Sequence, residues 1–113
     1  MIEILGIPYK IVWHKDLNEI NKASKEVNKL YLVPDEDDKG MCDGFTDYNK
    51  KEIHLYRGQI YNPAMRAQII RHEITHAFLF EIGYTHYGDE DLVDKISKWV
   101  PQIERLYKKV EKM

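Results

Sequence analysis

Several features are scarce in this chain of 113 residues, and each scarcity excludes a class of protein. Cys42 is the one cysteine, so the chain cannot be a scaffold built on internal disulfides. No apolar run approaches the roughly 18 residues of a membrane-spanning helix. The N-terminus, from Met1 to Leu5, lacks the basic start and the apolar stretch of a signal peptide. We therefore expect a cytoplasmic protein with no membrane partner.

An excess of one charge is also missing, because 17 Lys and Arg are balanced by 19 Asp and Glu. Basic residues gather near the C-terminus, but Glu104 and Glu111 interrupt them, and cations are expected near the end of a helix. This pattern indicates a solvated helix face and argues against a nucleic-acid partner. The chain is 43% hydrophobic and 32% charged, so we expect one globular domain over residues 1–113.

The most specific pattern is His72-Glu73-Ile74-Thr75-His76, which has the form H-E-x-x-H. Helix positions four apart lie on one face, so both imidazoles can bind one tetrahedral metal ion. Glu73 follows a ligand directly and can activate a water as general base. Burying these side chains in an apolar helix would be costly without a common partner. The motif therefore predicts His72 and His76 as metal ligands and Glu73 as catalytic residue.

Residues around the motif predict a helix from about Pro63 to Ile82. Asn62 is a good N-cap, proline is favoured at the first helical position, and Gly83 is suited to the left-handed residue that ends a helix. Apolar residues around this helix predict that it is largely buried. They are Met65, Ile69, Ile70, Ile74, Ala77, Phe78 and Phe80.

The N-terminal half predicts one strand and one helix. Residues 2–13 alternate only in part and predict a bent or edge strand. Asp16 and Glu19 predict the start of a helix with a variant capping box, and Pro34 follows its end. The acidic segment 35–40 departs from the calcium-binding EF-hand pattern, so we expect a solvated loop there.

The middle and the end of the chain predict a hairpin and a third helix. Residues 42–47 and 52–57 flank a polar turn and predict antiparallel strands, the second able to pair with an extended substrate. Residues 89–112 carry apolar side chains at helical spacing, which predicts a helix packed on the core. Pro101 is expected to kink that helix or to reset its start.

A catalytic metal usually takes three protein ligands, so one more ligand must lie beyond the motif helix. Glu90 is the preferred candidate, because Glu90 and Asp94 share a face where Asp94 could hydrogen-bond a ligating imidazole. His86 and Asp91 remain alternatives. Two imidazoles and a carboxylate suit zinc best, although such a set can also hold iron or manganese. Candidate oxyanion donors are Tyr84, His86 and Tyr87.

The order of strand, H-E-x-x-H helix and acid-led third helix resembles the gluzincin group of zinc peptidases. The chain is most similar to the small ImmA/IrrE-like metallopeptidases and their phage-encoded relatives. The similarity covers roughly residues 44–101, and its specific parts are segments 71–78 and 89–94. It implies a minimal zincin-like domain of the α+β class, with a short antiparallel sheet on about three helices and the motif on the central one.

The same resemblance implies zinc held by His72, His76 and Glu90, with Glu73 as the base. It implies a metalloendopeptidase that cuts an intracellular protein, such as a repressor-type regulator. The alternative is a phage-type regulatory or interaction protein with a non-catalytic zinc site. A DNA-linked protease of the same motif would need a basic surface, which the overall charge argues against.

Overall fold

The computed structural model describes residues 1–30, 43–58 and 62–113. The predicted acidic loop and Cys42 lie outside these residues. The three helices and the four-stranded sheet within these residues confirm the α+β class. In chain order the elements are β1 (Ile2–Ile4), β2 (Ile7–His14), α1 (Leu17–Leu30), β3 (Gly44–Asp47), β4 (Glu52–Tyr56), α2 (Pro63–Glu81) and α3 (Glu90–Glu111). None of the described helices combines the length and the apolar character needed to cross a bilayer.

The predicted first strand is in fact a hairpin of β1 and β2. Leu5 and Gly6 form its turn with φ angles of 53° and 82°, as a two-residue type I′ turn requires. The strands pair antiparallel, with Ile4 opposite Ile7. The prediction of one bent or edge strand is therefore wrong, because Gly6 reverses the chain instead of bending it.

The described sheet has the order β1-β2-β4-β3. β2 pairs with β4 in parallel, whereas β3 and β4 are antiparallel, so the sheet is mixed and not antiparallel as predicted. A parallel pair needs a long crossover, and the segment between β2 and β4 includes α1 and β3. β4 is an interior strand in which Ile53 lies opposite both Ile11 and Thr46. The prediction that β4 pairs with a substrate is therefore wrong.

The core lies between the sheet and α2. Its buried cluster consists of Ile4, Tyr9, Ile53, Leu55 and Ala77. The predicted caps of α2 are confirmed, since the Asn62 side chain accepts from the Met65 N–H at 2.8 Å and Gly83 has φ 78°. The helix is less buried than predicted, however, because Phe78 is 40% exposed. Its buried positions lie in the middle of the helix, around the motif.

Three polar contacts, at two points along the helix, hold α2 against the sheet and its β3–β4 turn. Near its middle, the Thr46 hydroxyl on β3 donates to the Glu73 carbonyl at 3.2 Å. Near its end, the Tyr9 hydroxyl on β2 donates to the Glu81 carboxylate at 2.7 Å, and Lys51 binds the same carboxylate. The helix is thus held at two points along its length. These contacts set its orientation relative to the sheet.

The helix α1 begins as predicted, but its first turn is built differently. Asp16 accepts a hydrogen bond from the Asn18 N–H at 2.8 Å. Glu19, which was expected to close a capping box, instead binds His14 at 2.9 Å. The side chain of Glu19 therefore connects α1 to the sheet.

The helix α3 starts at Glu90 and continues through Pro101, so of the two predicted effects of this proline a reset start is wrong, and a kink stays a prediction. Asp89 caps it by accepting from the Leu92 N–H. Val93 and Ser97 are buried, and Gln68 on α2 donates to the Ser97 hydroxyl at 2.7 Å. In the part of the chain that the structure describes, the buried positions of α3 lie in this first half. The apolar side chains predicted to be in the core but exposed instead are Trp99, Val100, Ile103, Leu106 and Val110.

The core position of Ile53 yields a direct stability test. Ile53→Ala removes buried methyl groups where the side chain is 0% exposed, so the free energy of unfolding should fall by about 2–5 kcal/mol. The matched control is Ile82→Ala, at a position that is 61% exposed, where a change of no more than roughly 0.5 kcal/mol is expected. Urea denaturation followed by circular dichroism measures both, and equal losses would contradict the assignment of the core.

Candidate metal centre

The motif residues on α2 come together as the sequence predicts. His72, Glu73 and His76 each offer a ligand atom, and these atoms lie within 4.8 Å of one another. The two imidazole rings have their centroids 4.9 Å apart and are inclined by 71°. Glu73 and His76 are buried, and His72 is half-buried. This group could bind a metal ion.

The first residue of α3 lies against both imidazoles. Glu90 Oε2 is 2.7 Å from His72 Nε2, and Glu90 Oε1 is 3.1 Å from His76 Nε2. The hydrogen bonds with His72 and His76 lower the pKa of Glu90 to about 2, against the opposing effect of its partial burial. One carboxylate therefore contacts the same ring atom of both histidines.

A backbone contact sets the orientation of His76. Its Nδ1–H donates to the Tyr87 carbonyl at 2.7 Å, so the ring directs Nε2 toward Glu90. Such a bond on the far ring nitrogen is the usual support of a metal-ligating histidine. Asp94 is less close to His72 than predicted. Its Oδ1 lies 3.9 Å from His72 Nδ1, beyond hydrogen-bond range, and its other oxygen binds Lys98 at 2.8 Å.

The donor set fits a divalent metal ion. Each Nε2 needs a proton or a cation in order to face a carboxylate oxygen at these distances. The hydrogen bond to Glu90 raises the pKa of His72. Burial opposes the charged form of His76, but the bond to Glu90 and the nearby Glu73 outweigh it and raise its pKa. A cation among these atoms would satisfy both nitrogens, and two imidazoles with one carboxylate form a known metal-ligand set.

Glu73 lies beside this set in a dry environment. Its side chain is 4% exposed, and burial raises its pKa to about 7, although His76 and His72 oppose the shift. Gly44 on β3 approaches it closely, since a Cβ there would stand 3.2 Å from Glu73 Cγ. A carboxyl group whose pKa lies near neutral pH can accept a proton and release it again.

The alternative ligands do not join the histidines. His86 is exposed, and its ring contacts Tyr84 at 5.7 Å between centroids. Asp91 is also exposed and pairs with Lys95 at 2.9 Å. Among the three candidates for the third ligand, Glu90 is the one that the structure brings to the motif.

Two residues near the centre were not predicted. Tyr48 packs its ring against Tyr87 at 4.9 Å, and burial together with the charges of Glu73 and Glu90 raises its pKa. Thr46 holds the Glu73 carbonyl. Both residues belong to the β3–β4 hairpin. No pattern in the sequence of this hairpin indicates that it packs against the motif helix. The oxyanion role considered for Tyr84, His86 and Tyr87 stays a prediction.

A second pair of buried histidines lies at the end of β2 and on β4. His14 Nε2 is 2.8 Å from His54 Nδ1, His14 Nδ1 is 2.9 Å from Glu19, and His54 Nε2 is 3.1 Å from Glu52. Burial lowers the pKa of His54, and Glu52 opposes this shift. Among the described residues, the group of side chains that could hold a metal ion is that of the motif, and this pair does not belong to it. These rings bind each other and two carboxylates instead.

The chain matches no family model, no curated protein and no solved structure with which it was compared. The assignment of the centre therefore depends on the geometry of its own side chains.

The buried His54 ring should make stability depend on pH. Because the pKa of folded His54 is below the unfolded value of about 6.5, its contribution is complete above that pH and is lost as the pH falls through the folded pKa. Urea unfolding between neutral and mildly acidic pH should show a weaker pH dependence in His54→Gln than in wild type. The exposed-histidine control, His86→Gln, should keep the wild-type dependence. Identical curves for all three proteins would contradict the role of His54.

Metal analysis tests the centre directly. After dialysis against zinc and removal of loose ions, elemental analysis should give about one ion per wild-type chain and background levels for His76→Ala. His86→Ala changes the same residue type outside the centre and should keep the ion. Equal metal content in the two variants would refute the site.

A second pair of variants tests the third ligand. Glu90→Ala should weaken zinc binding at least tenfold, whereas Asp91→Ala, one residue along, should leave it unchanged. Competition with a chromogenic chelator measures both affinities. The opposite ranking would assign the role to Asp91.

Proposed function

We propose that this protein is a zinc-dependent metalloendopeptidase that hydrolyses an intracellular protein in the cytoplasm. The observation that carries the proposal is the Glu90 carboxylate in contact with Nε2 of both His72 and His76. Glu73, buried beside them, supplies the base that peptide hydrolysis needs. The order of these residues along the chain supports a gluzincin-type centre in a small zincin-like domain.

His72, His76 and Glu90 would hold the ion, and the hydrogen bond from His76 to the Tyr87 carbonyl would keep one imidazole in place. Zinc prefers nitrogen and carboxylate ligands in a four-coordinate site, and a three-residue set leaves one position open. When bound, zinc would lower the pKa of a water molecule and polarise the scissile carbonyl.

Glu73 would carry the proton through the reaction. Its carboxylate accepts a proton from water as the water oxygen forms a bond to the carbonyl carbon. It then delivers this proton to the amide nitrogen as the carbon–nitrogen bond breaks, which releases a carboxylate and an amine. The Thr46 hydroxyl and the close approach of Gly44 hold Glu73 in position against β3.

For the substrate we propose a repressor-type regulator. This part rests on the similarity of segments 71–78 and 89–94 to ImmA/IrrE-like metallopeptidases. A peptidase of this kind acts in the compartment where its regulator binds, so a cytoplasmic location is part of the proposal.

The second candidate is a regulatory or interaction protein that keeps zinc for structure alone. The exposed apolar residues in the second half of α3 favour it, because an uncovered apolar surface of this kind usually contacts another molecule. In that case the protein would act by contact, and Glu73 would have no role in its effect.

Glu73→Gln separates the two candidates. The variant keeps the shape of the side chain but cannot accept a proton, so peptide cleavage should fall about 10²–10⁴-fold while zinc content stays near the wild-type value. Cleavage of a random-sequence peptide library, followed by mass spectrometry, measures the activity. Glu26→Gln changes an exposed glutamate on α1 and should have no effect.

Cleavage that persists in Glu73→Gln would refute the role of Glu73. A wild-type protein that carries zinc but cleaves neither the library nor repressor-type proteins would favour the interaction protein. The biological effect of such a protein should survive the Glu73→Gln change.

A further inference from the structure

The second half of α3 has an apolar side that the described residues of the domain leave uncovered. Seven apolar side chains, six on this half and one just beyond its C-cap, are more than half exposed: Trp99, Val100, Ile103, Leu106, Tyr107, Val110 and Met113. From residue 102 to the C-terminus every position is exposed. The molecule measures 52 Å along its longest axis, against 34 and 27 Å along the others. A helical segment of this length gains little stability alone, since most helical stability in proteins comes from packing.

The exposed residues follow the heptad spacing of a coiled coil. Steps of three and four residues alternate without a break along one line, here called the α3 stripe: Ile96, Trp99, Ile103, Leu106, Val110 and Met113. Its first, third and fifth members are β-branched, and the positions between them carry Trp, Leu and Met. In two-stranded coiled coils, β-branched residues at one core position and leucine at the other favour pairing of two helices.

An apolar groove extends this surface toward α2. The groove has a volume of about 610 Å³, and Ile74, Phe78 and Val100 contribute to its lining. Val100 borders the α3 stripe, so the two surfaces are continuous. The charged residues Arg105, Lys108 and Lys112 occupy heptad positions away from the stripe. A partner can therefore reach the apolar line without burying these charges.

We propose that the α3 stripe pairs with the same stripe of a second copy of this chain. The seven side chains named above are 54% to 93% exposed, and together they leave roughly 700 Å² of apolar surface open per copy. Pairing two copies would cover roughly 1,400 Å², within the range of about 1,200–2,000 Å² that stable specific interfaces bury. Because the same residues meet on both sides, the pair can close by two-fold symmetry.

Sedimentation equilibrium of the full chain at micromolar concentration tests the pairing. Wild type should sediment as a dimer. Leu106→Glu places a charge in the stripe and should raise the dimer dissociation constant about 30-fold or more. The matched control, Lys108→Glu, introduces the same residue on the opposite face and should leave the dimer intact. Circular dichroism checks that each variant keeps its helix content.

Fluorescence supplies a readout that does not depend on changing the stripe. In a Trp13→Phe protein the emission comes from Trp99 alone, and it should shift to shorter wavelength as the concentration rises through the dimerisation range. If wild type stays monomeric at the highest concentrations, the proposal is overturned, and a different protein becomes the candidate partner of the α3 stripe. A dimer that Leu106→Glu does not weaken, or a Trp99 emission independent of concentration, would also overturn it.

Discussion

The packing of the first turns of α3 on α2 is the contact on which the candidate metal centre depends. α2 alone provides two imidazoles and one buried carboxylate. Glu90 reaches these imidazoles because the first half of α3 packs on the motif helix, where Gln68 donates to the Ser97 hydroxyl at 2.7 Å. Any change that separates the two helices would therefore move Glu90 away from His72 and His76 while leaving the H-E-x-x-H motif complete.

Burial and charge are balanced at the centre. Burial disfavours the ionised form of Glu73, whereas the adjacent imidazoles favour it, and its pKa lies near 7 as a result. Glu90 remains charged because His72 and His76 both bind it. The two carboxylates therefore differ in character although they lie beside the same rings. Glu73 is suited to accepting and releasing a proton, and Glu90 is suited to binding a positive charge.

The two histidine pairs show that geometry decides what a histidine can do. His14 and His54 direct ring nitrogens at each other and use the remaining nitrogens for Glu19 and Glu52. His72 and His76, four positions apart on one helix, instead direct the same ring atom at a common carboxylate. Each pair has two imidazoles with acidic neighbours. Of the two pairs, only His72 and His76 direct ring nitrogens at one common point, as binding of a metal ion requires.

The sequence by itself determined the features that depend on near neighbours: the caps of α2 at Asn62 and Gly83, the β3–β4 hairpin, and the placing of His72 and His76 on one helix face. Tertiary structure decided the parallel pairing of β2 with β4, the approach of Glu90 instead of Asp91, and the exposed second half of α3. The physical reason is that caps and helical spacing act within a few residues, whereas strand partners and helix contacts depend on packing between distant segments. An apolar line on a helix is the same pattern whether its own core or another molecule covers it.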